Sequence, residues 1–325
     1  MKISNCDWLE KIYKNININK LPQSVIINGQ KGVGKKLLSK RIALDLLNTK
    51  NVNSSEVTLN LFKKNNHPDF YVLDKEKILI NDISRREGSW DEEKGKKDII
   101  SFISLTPSLS NHKVALILNA ESMNQSAQNA LLKTLEEPSN NSFIIMTTNR
   151  SRSLNKTIYS RSQVINIQAP SDDIVNKWLN NNNVNDYSSV DFPSFYAPFT
   201  ILESIESGNH DVFKEFVEIT INFIIKNYNL NIAIKQISEL DLPFINKLNF
   251  LIEFLKIILY SKTTNQAFNG KYKIFNKLSY SALKLSNIIE EINNLRNNVY
   301  EVGSINEAHA LNYIYSEIGY SFKQL

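Results

Sequence analysis

Five short apolar runs punctuate the first half of the chain: Val25–Asn28, Phe70–Leu73, Val114–Leu118, Phe143–Thr147 and Val164–Ile167. Most are continuous rather than alternating, the pattern of strands buried on both faces of a parallel sheet. Between them the apolar spacing lengthens to that of a helix. Leu38, Ile42 and Leu46 share one face of Lys35–Asn48. Ala127, Ala130, Leu131, Thr134 and Leu135 form a second stripe, which Pro138 ends. Strands alternating with helices predict an α/β domain over residues 1–170.

After Ala169-Pro170 the pattern changes. "PSDDIVNKWL" reads as a helix start, with Ser171 as N-cap and Asp172 and Asp173 in the first turn. A small helical lid over 171–210 is predicted, interrupted by the polar stretch "NNNNVNDYSS". From 211 to 325 helical periodicity dominates and strand signals are weak, so an all-helical domain is expected there. No internal repeat is evident.

Composition narrows the function classes. The 325 residues suffice for two or three domains, and the 42% hydrophobic content is that of a globular protein. The net charge of +5 permits contact with nucleic acid without demanding it. One cysteine, Cys6, excludes an internal disulfide and a Cys-rich zinc site, and reads as a small apolar residue. "MKISNCDWLEK" lacks the apolar core of a secretory signal. Phe250–Tyr260 is too short to cross a bilayer and contains Glu253 and Lys256. The expectation is a cytoplasmic protein with no membrane segment.

Three segments carry candidate chemistry. "IINGQKGVGKK" has the spacing of a phosphate-binding loop between a strand and a helix. Gly29, Gly32 and Gly34 would let backbone amides surround phosphates, and Lys35 would reach the β and γ phosphates. The next residue should be a Ser or Thr that coordinates magnesium; it is Lys36. In the second segment, a hydrolytic strand should end in Asp-Glu, to hold magnesium and polarise water. Here those positions are Leu118 and Asn119, and Glu121 beyond them reads as a surface or helix-start residue. Two independent losses argue against magnesium-dependent hydrolysis.

The third segment, "TTNRSRSLNKTIYSRSQ", follows a strand end at Thr147. Thr148 and Asn149 could sense a γ-phosphate or simply cap the strand. Arg150, Arg152, Lys156 and Arg161 gather next, either as a solvated loop or with work to do. The second reading singles out Arg161, between Ser160 and Ser162 just before the last strand, which could reach across to a neighbouring subunit's triphosphate.

"LPQSVIINGQKGVGKK", "HPDFYVLD", "HKVALILNAESMNQSAQNALLKTLEEP" and "TTNRSRSLNKTIYSRSQ", in this order, resemble the delta-prime subunits of bacterial DNA polymerase III clamp loaders. The resemblance covers residues 1 to about 170. It implies an AAA+ core, a lid and a C-terminal collar within a hetero-pentameric ring with gamma/tau and delta subunits. That ring opens a sliding clamp and places it on primer-template DNA. It implies that this subunit does not hydrolyse ATP and that its "SRC"-like arginine, Arg161, completes a neighbour's ATP site. Ser162 stands where the family has cysteine.

The departures point the same way. Many members carry a four-cysteine zinc module, whereas Thr49–Asn66 has no cysteine, so no zinc is expected. Lids of related ATPases often supply an arginine to the γ-phosphate, but Ser194–Ser204 has none. No cofactor is required on this reading, and whether ATP or ADP binds stays open. Catalysis is not expected from the isolated chain, only from the polymerase assembly. Arg150 and Arg152 could grip DNA phosphates or remain solvated. Two alternatives stand beside this reading: a self-contained NTPase that uses Lys35, and a non-replicative AAA+ adaptor.

Overall fold

The computed structural model describes residues 3–48, 55–84, 98–209, 211–264, 268, 270–302 and 305–324. Residues 49–54 of the cysteine-free segment lie outside the described residues. The strands are β1 (Ser24–Gly29), β2 (Phe70–Asp74), β3 (Lys113–Leu118), β4 (Ser142–Thr148) and β5 (Gln163–Ile167), each at its predicted place within a residue at either end. All run parallel, in the order β2-β3-β4-β1-β5. The intervening helices are α1 (Asp7–Lys14), α2 (Lys35–Leu47), α3 (Ser55–Lys63), α4 (Ile80–Ile83), α5 (Ile99–Ser104), α6 (Gln125–Glu136) and α7 (Lys156–Tyr159). This is the α/β, P-loop-type parallel sheet that the pattern predicted.

The core follows the helical stripes. Leu38, Ile42 and Leu46 are at most 1% exposed, where α2 packs on β1, β3 and β4. On α6, Ala127, Leu131 and Leu135 join Ile26, Ile117 and Ile144 in one buried cluster. β3 is buried at every position because it has a strand on each side and helices over its faces. β5 departs from the expectation of strands buried on both faces. It pairs only with β1, as an edge strand, and Val164 is 38% exposed.

Ahead of β2 and β3 sits a buried anchor. Asp69, wholly buried, accepts the backbone amides of Ser108, Leu109 and Ser110, with Lys113 Nζ 3.2 Å away. Burial alone would raise its pKa, but the three amides and Lys113 outweigh it and hold the carboxyl below its ordinary value. Cys6 is also fully buried, and burial pushes its thiol up to about 11.

Two helices follow, α8 (Asp172–Asn181) and α9 (Pro198–Glu206). Ser171 holds the N-cap position of α8 with extended backbone, but its side chain makes no capping bond, contrary to expectation. The acidic first turn, Asp172 and Asp173, is left to complement the helix dipole. Two compact units divide the chain: Met1–Ser189 with Phe195–Leu202, and Val190–Ser194 with Glu203–Leu325.

The second unit holds α10 (Val212–Ile224), α11 (Leu230–Glu239), α12 (Phe244–Thr264), α13 (Ala282–Val302) and α14 (Glu307–Ser321). Asn229 and Asn306 cap α11 and α14 through side-chain oxygens. Inside, Thr220 Oγ1 and the Tyr315 hydroxyl lie 2.9 Å apart, both fully buried. Phe250, Leu251, Phe254, Leu255 and Ile258, from the longest apolar stretch, are at most 1% exposed and serve as core. Among the described residues, no helix is long and apolar enough to cross a membrane. A short antiparallel pair, β6 (Leu278–Tyr280) and β7 (Phe322–Gln324), adds to the helices expected here. The Tyr280 and Phe322 rings pack across it with centroids 5.5 Å apart.

Candidate functional site

β1 ends at Gly29, and residues 30–34 turn into α2 at the carboxyl edge of the sheet, where open α/β folds place ligands. Gly32 and Gly34 have φ of +79° and +102°, which side chains rarely adopt. Space is also closed. A Cβ on Gly32 would lie 2.0 Å from Thr200 Oγ1, and one on Gly34 would lie 2.6 Å from Leu9 Cδ1.

The loop is held from outside. Trp8 Nε1 donates to the Val33 carbonyl and the Phe199 amide to that of Gly32, each across 2.9 Å. The Gln30 side-chain amide donates to the Phe195 carbonyl. Residues 195–200 thus pack on the loop as part of the same compact unit.

Lys35 is 6% exposed, and its Nζ donates to the carbonyls of both Gly29 and Gln30 across 2.7 Å. Burial pulls its pKa down to about 8; Glu121 opposes that shift and Lys31 adds to it. Lys36 is exposed, and its Nζ lies 2.9 Å from Asp74 Oδ2 at the end of β2. These residues line a cleft of about 490 Å³ together with Leu118, Asn119, Thr147 and Asn149. A magnesium ion takes oxygen ligands. Residue 36 offers an ammonium and Leu118 a buried alkyl group, 3% exposed, so neither of the two positions expected to hold the metal supplies an oxygen ligand.

Asn119 adopts the left-handed conformation, and its amide donates to Thr147 Oγ1 across 3.1 Å. That turn carries Glu121 back toward the end of β4. Glu121 keeps the helix-entry place expected from sequence, in the first turn of the 3-10 helix Ala120–Ser122, but is not the surface residue that was the alternative. It is half-buried, and α6 is capped by Asn124. Glu121 Oε1 accepts from the Asn149 backbone amide at 3.1 Å and from its side chain at 2.6 Å, while Oε2 is buried without a partner. Only its place two residues beyond the strand-end pair could have signalled this.

The two sensor candidates separate. Thr148 is fully buried and closes the following turn, its hydroxyl donating to the Arg150 carbonyl at 2.9 Å. Asn149 lines the cleft. Arg150 and Arg152 are exposed beyond it, Arg152 with a φ of 60°.

Arg161 stands elsewhere. It precedes β5, whose residue Gln163 pairs with Val25 near the start of β1, whereas the phosphate loop follows Gly29, which pairs with Ile167. Four strand residues, about 13 Å at 3.3 Å each, separate those levels. Arg161 is therefore at the amino edge of the sheet, opposite the chain's own cleft. Its Nη2 lies 2.7 Å from Glu136 Oε1, and its Nη1 donates to the Thr157 carbonyl and to Ser160 Oγ. Ser162 is tied to the start of β1, its hydroxyl 2.7 Å from that of Ser24. Among the described residues, no group of three or more His, Cys, Asp or Glu is arranged to hold a metal ion.

Comparison with known proteins places this geometry. The sequence profile of the family described as DNA polymerase III, delta subunit matches residues 5–171, just over half of the chain. The DNA polymerase III subunit delta' of Haemophilus influenzae is 29% identical over 48% of this chain and 46% of its own length. That of Buchnera aphidicola subsp. Baizongia pistaciae is 26% identical over 58% of each. The chain thus spans about half the length of the curated relatives it matches. A solved DNA polymerase III gamma subunit-related protein from Thermotoga maritima shares the fold, with a TM-score of 0.50 at 17% identity over 97% of this chain and 99% of that one. On the profile and these relatives, the chain belongs to the delta-prime family of DNA polymerase III clamp-loader subunits.

Proposed function

We propose that this chain is the non-hydrolysing member of a replicative clamp-loader ring, and that Arg161 completes the ATP site of a neighbouring subunit. The observation that carries the reading is the position of Arg161 at the amino edge of the sheet, remote from its own phosphate loop. A guanidinium there can stabilise phosphoryl-transfer charge only on another molecule. Such a residue is worth about 10³–10⁵ in turnover.

The chain's own cleft supports the same role. Lys35 spends its ammonium on loop carbonyls, Lys36 pairs with Asp74, and Leu118 offers no charge. The loop then keeps its shape without a required nucleotide. The partners on this reading are gamma/tau and delta subunits, with the sliding clamp and primer-template DNA reached through the complex. The site of action would be the cytoplasm. Arg150 and Arg152 are candidates for sequence-independent phosphate contacts.

The test is a ring reconstituted with gamma/tau and delta subunits. Arg161→Ala should lower DNA-stimulated ATP turnover at the completed site by about 10³-fold or more and slow clamp loading. Unchanged turnover would reject the trans arginine. ATP turnover by the purified chain alone, abolished by Lys35→Ala, would instead establish a self-contained NTPase.

A further inference from the structure

Glu136 is the last residue of α6, where a carboxylate faces the negative end of the helix dipole. Helix stability does not account for it there. What it meets is Arg161: Glu136 Oε1 is 2.7 Å from Nη2. The Thr157 carbonyl and Ser160 Oγ take Nη1, at 3.1 and 3.2 Å. The guanidinium is therefore folded onto its own subunit, although its side chain remains 33% exposed.

From this geometry we infer that Glu136 is a positioning residue that holds Arg161 in reserve until a neighbour's triphosphate displaces it. The inference rests on the trans-arginine reading above. One carboxylate neutralises the guanidinium in the resting subunit and keeps it from stray anions. A triphosphate presents several charged oxygens in the geometry that arginine binds bidentately, and so outcompetes a single carboxylate. The exchange is easy because the pair is solvent-exposed. Such a pair biases two arrangements by no more than about fivefold. Glu136 must let go for Arg161 to act, since a carboxylate carried into the site would repel the phosphates.

The consequence is quantitative. If only a fraction of the subunits present a released arginine, the apparent affinity for the nucleotide it contacts falls by that fraction. Removing the charge at Glu136 should tighten nucleotide use without changing the chemistry once ATP saturates.

The experiment uses the complete ring, with DNA-stimulated ATP turnover measured against ATP concentration. The variants are Glu136→Gln, Glu136→Ala, Arg161→Ala and the double change E136Q/R161A. Glu136→Gln should lower the half-saturating ATP concentration by about two- to fivefold with maximal turnover unchanged. Glu136→Ala should match it, which guards against a folding defect in either variant. On the Arg161→Ala background the Gln change should do nothing. Half-saturation that stays the same or rises in both Glu136 variants, while Arg161→Ala still impairs turnover, overturns the reserve role and leaves the trans arginine standing. No effect of Arg161→Ala removes both.

Discussion

The side-chain amide of Asn149 donates to Glu121 Oε1 across 2.6 Å, tying the end of β4 to the turn that follows β3. Glu121 Oε2 is buried without a partner, so the carboxylate depends on this donor and on the Asn149 backbone amide. Asn149→Ala should therefore destabilise the first unit by about 1–3 kcal/mol, the cost of leaving a half-buried charged acceptor short of a partner. Urea unfolding of the full chain checks it. Wild-type stability in the variant would mean that Glu121 finds water instead.

Lys35 makes stability depend on pH in a defined window. Its folded pKa of about 8 lies below the ordinary 10.5. Below about 8 the lysine is charged in both states, and its burial penalty is fully present. Between 8 and 10.5 the unfolded chain binds more protons, so stability rises with pH. From pH 7.5 to 9.5 the gain attributable to Lys35 should be about 2 kcal/mol, and Lys35→Met should lack it. Glu121→Gln removes the charge that supports the ammonium and should move the window to lower pH. Equal slopes in wild type and Lys35→Met would refute the assignment.

Gly32→Ala combines two penalties. The residue would keep a φ of +79°, and its new methyl would sit 2.0 Å from Thr200 Oγ1 and 2.8 Å from the Thr200 amide nitrogen. The side-chain hydroxyl can rotate away, but the backbone nitrogen cannot. A loss of about 1–3 kcal/mol is expected, read as a lower urea midpoint with the slope unchanged. Thr200→Ala in the same chain should recover only part of it.

The Asp69–Lys113 pair should show the asymmetry of buried charge. Both side chains are at most 3% exposed. Asp69→Ala strands the ammonium and frees three loop amides, and should cost about 3–5 kcal/mol. Asp69→Ala with Lys113→Met should cost less than Asp69→Ala alone, because no unpaired charge is left inside. The depressed pKa of Asp69 gives a second readout. Its stabilisation is present above the ordinary carboxylate range and disappears as pH falls through the lower, folded value. Wild type should lose stability on acidification more steeply than Asp69→Asn.

Much of the sheet was legible because strand burial writes itself as continuous apolar runs. β3 is readable as Val114–Leu118 since every position faces packed atoms. β5 was found by the same signal, yet its exposure was not, because the run does not say whether a strand has one neighbour or two. Ser171 marks the helix start by residue type, while its hydroxyl points to no amide. The glycine and lysine pattern located the phosphate loop, since φ and close approach restrict those positions locally.

What sequence did not disclose are pairings between distant positions. Lys36 finds Asp74, Glu121 finds Asn149 and Arg161 finds Glu136, and each depends on parallel register and turn conformation rather than spacing. The aromatic residue Phe199, against Gly34, is equally silent in sequence, being 165 residues away.

The Asp69 anchor has one more consequence. It grips residues 108–110 by their backbone amides, a group that every residue except proline supplies. The loop's path is therefore independent of its side chains. Leu109, 48% exposed at the centre of the grip, can be exchanged for a residue of different size or charge while the chain beneath it keeps its course. Substitution there changes what the surface presents without changing where it is presented.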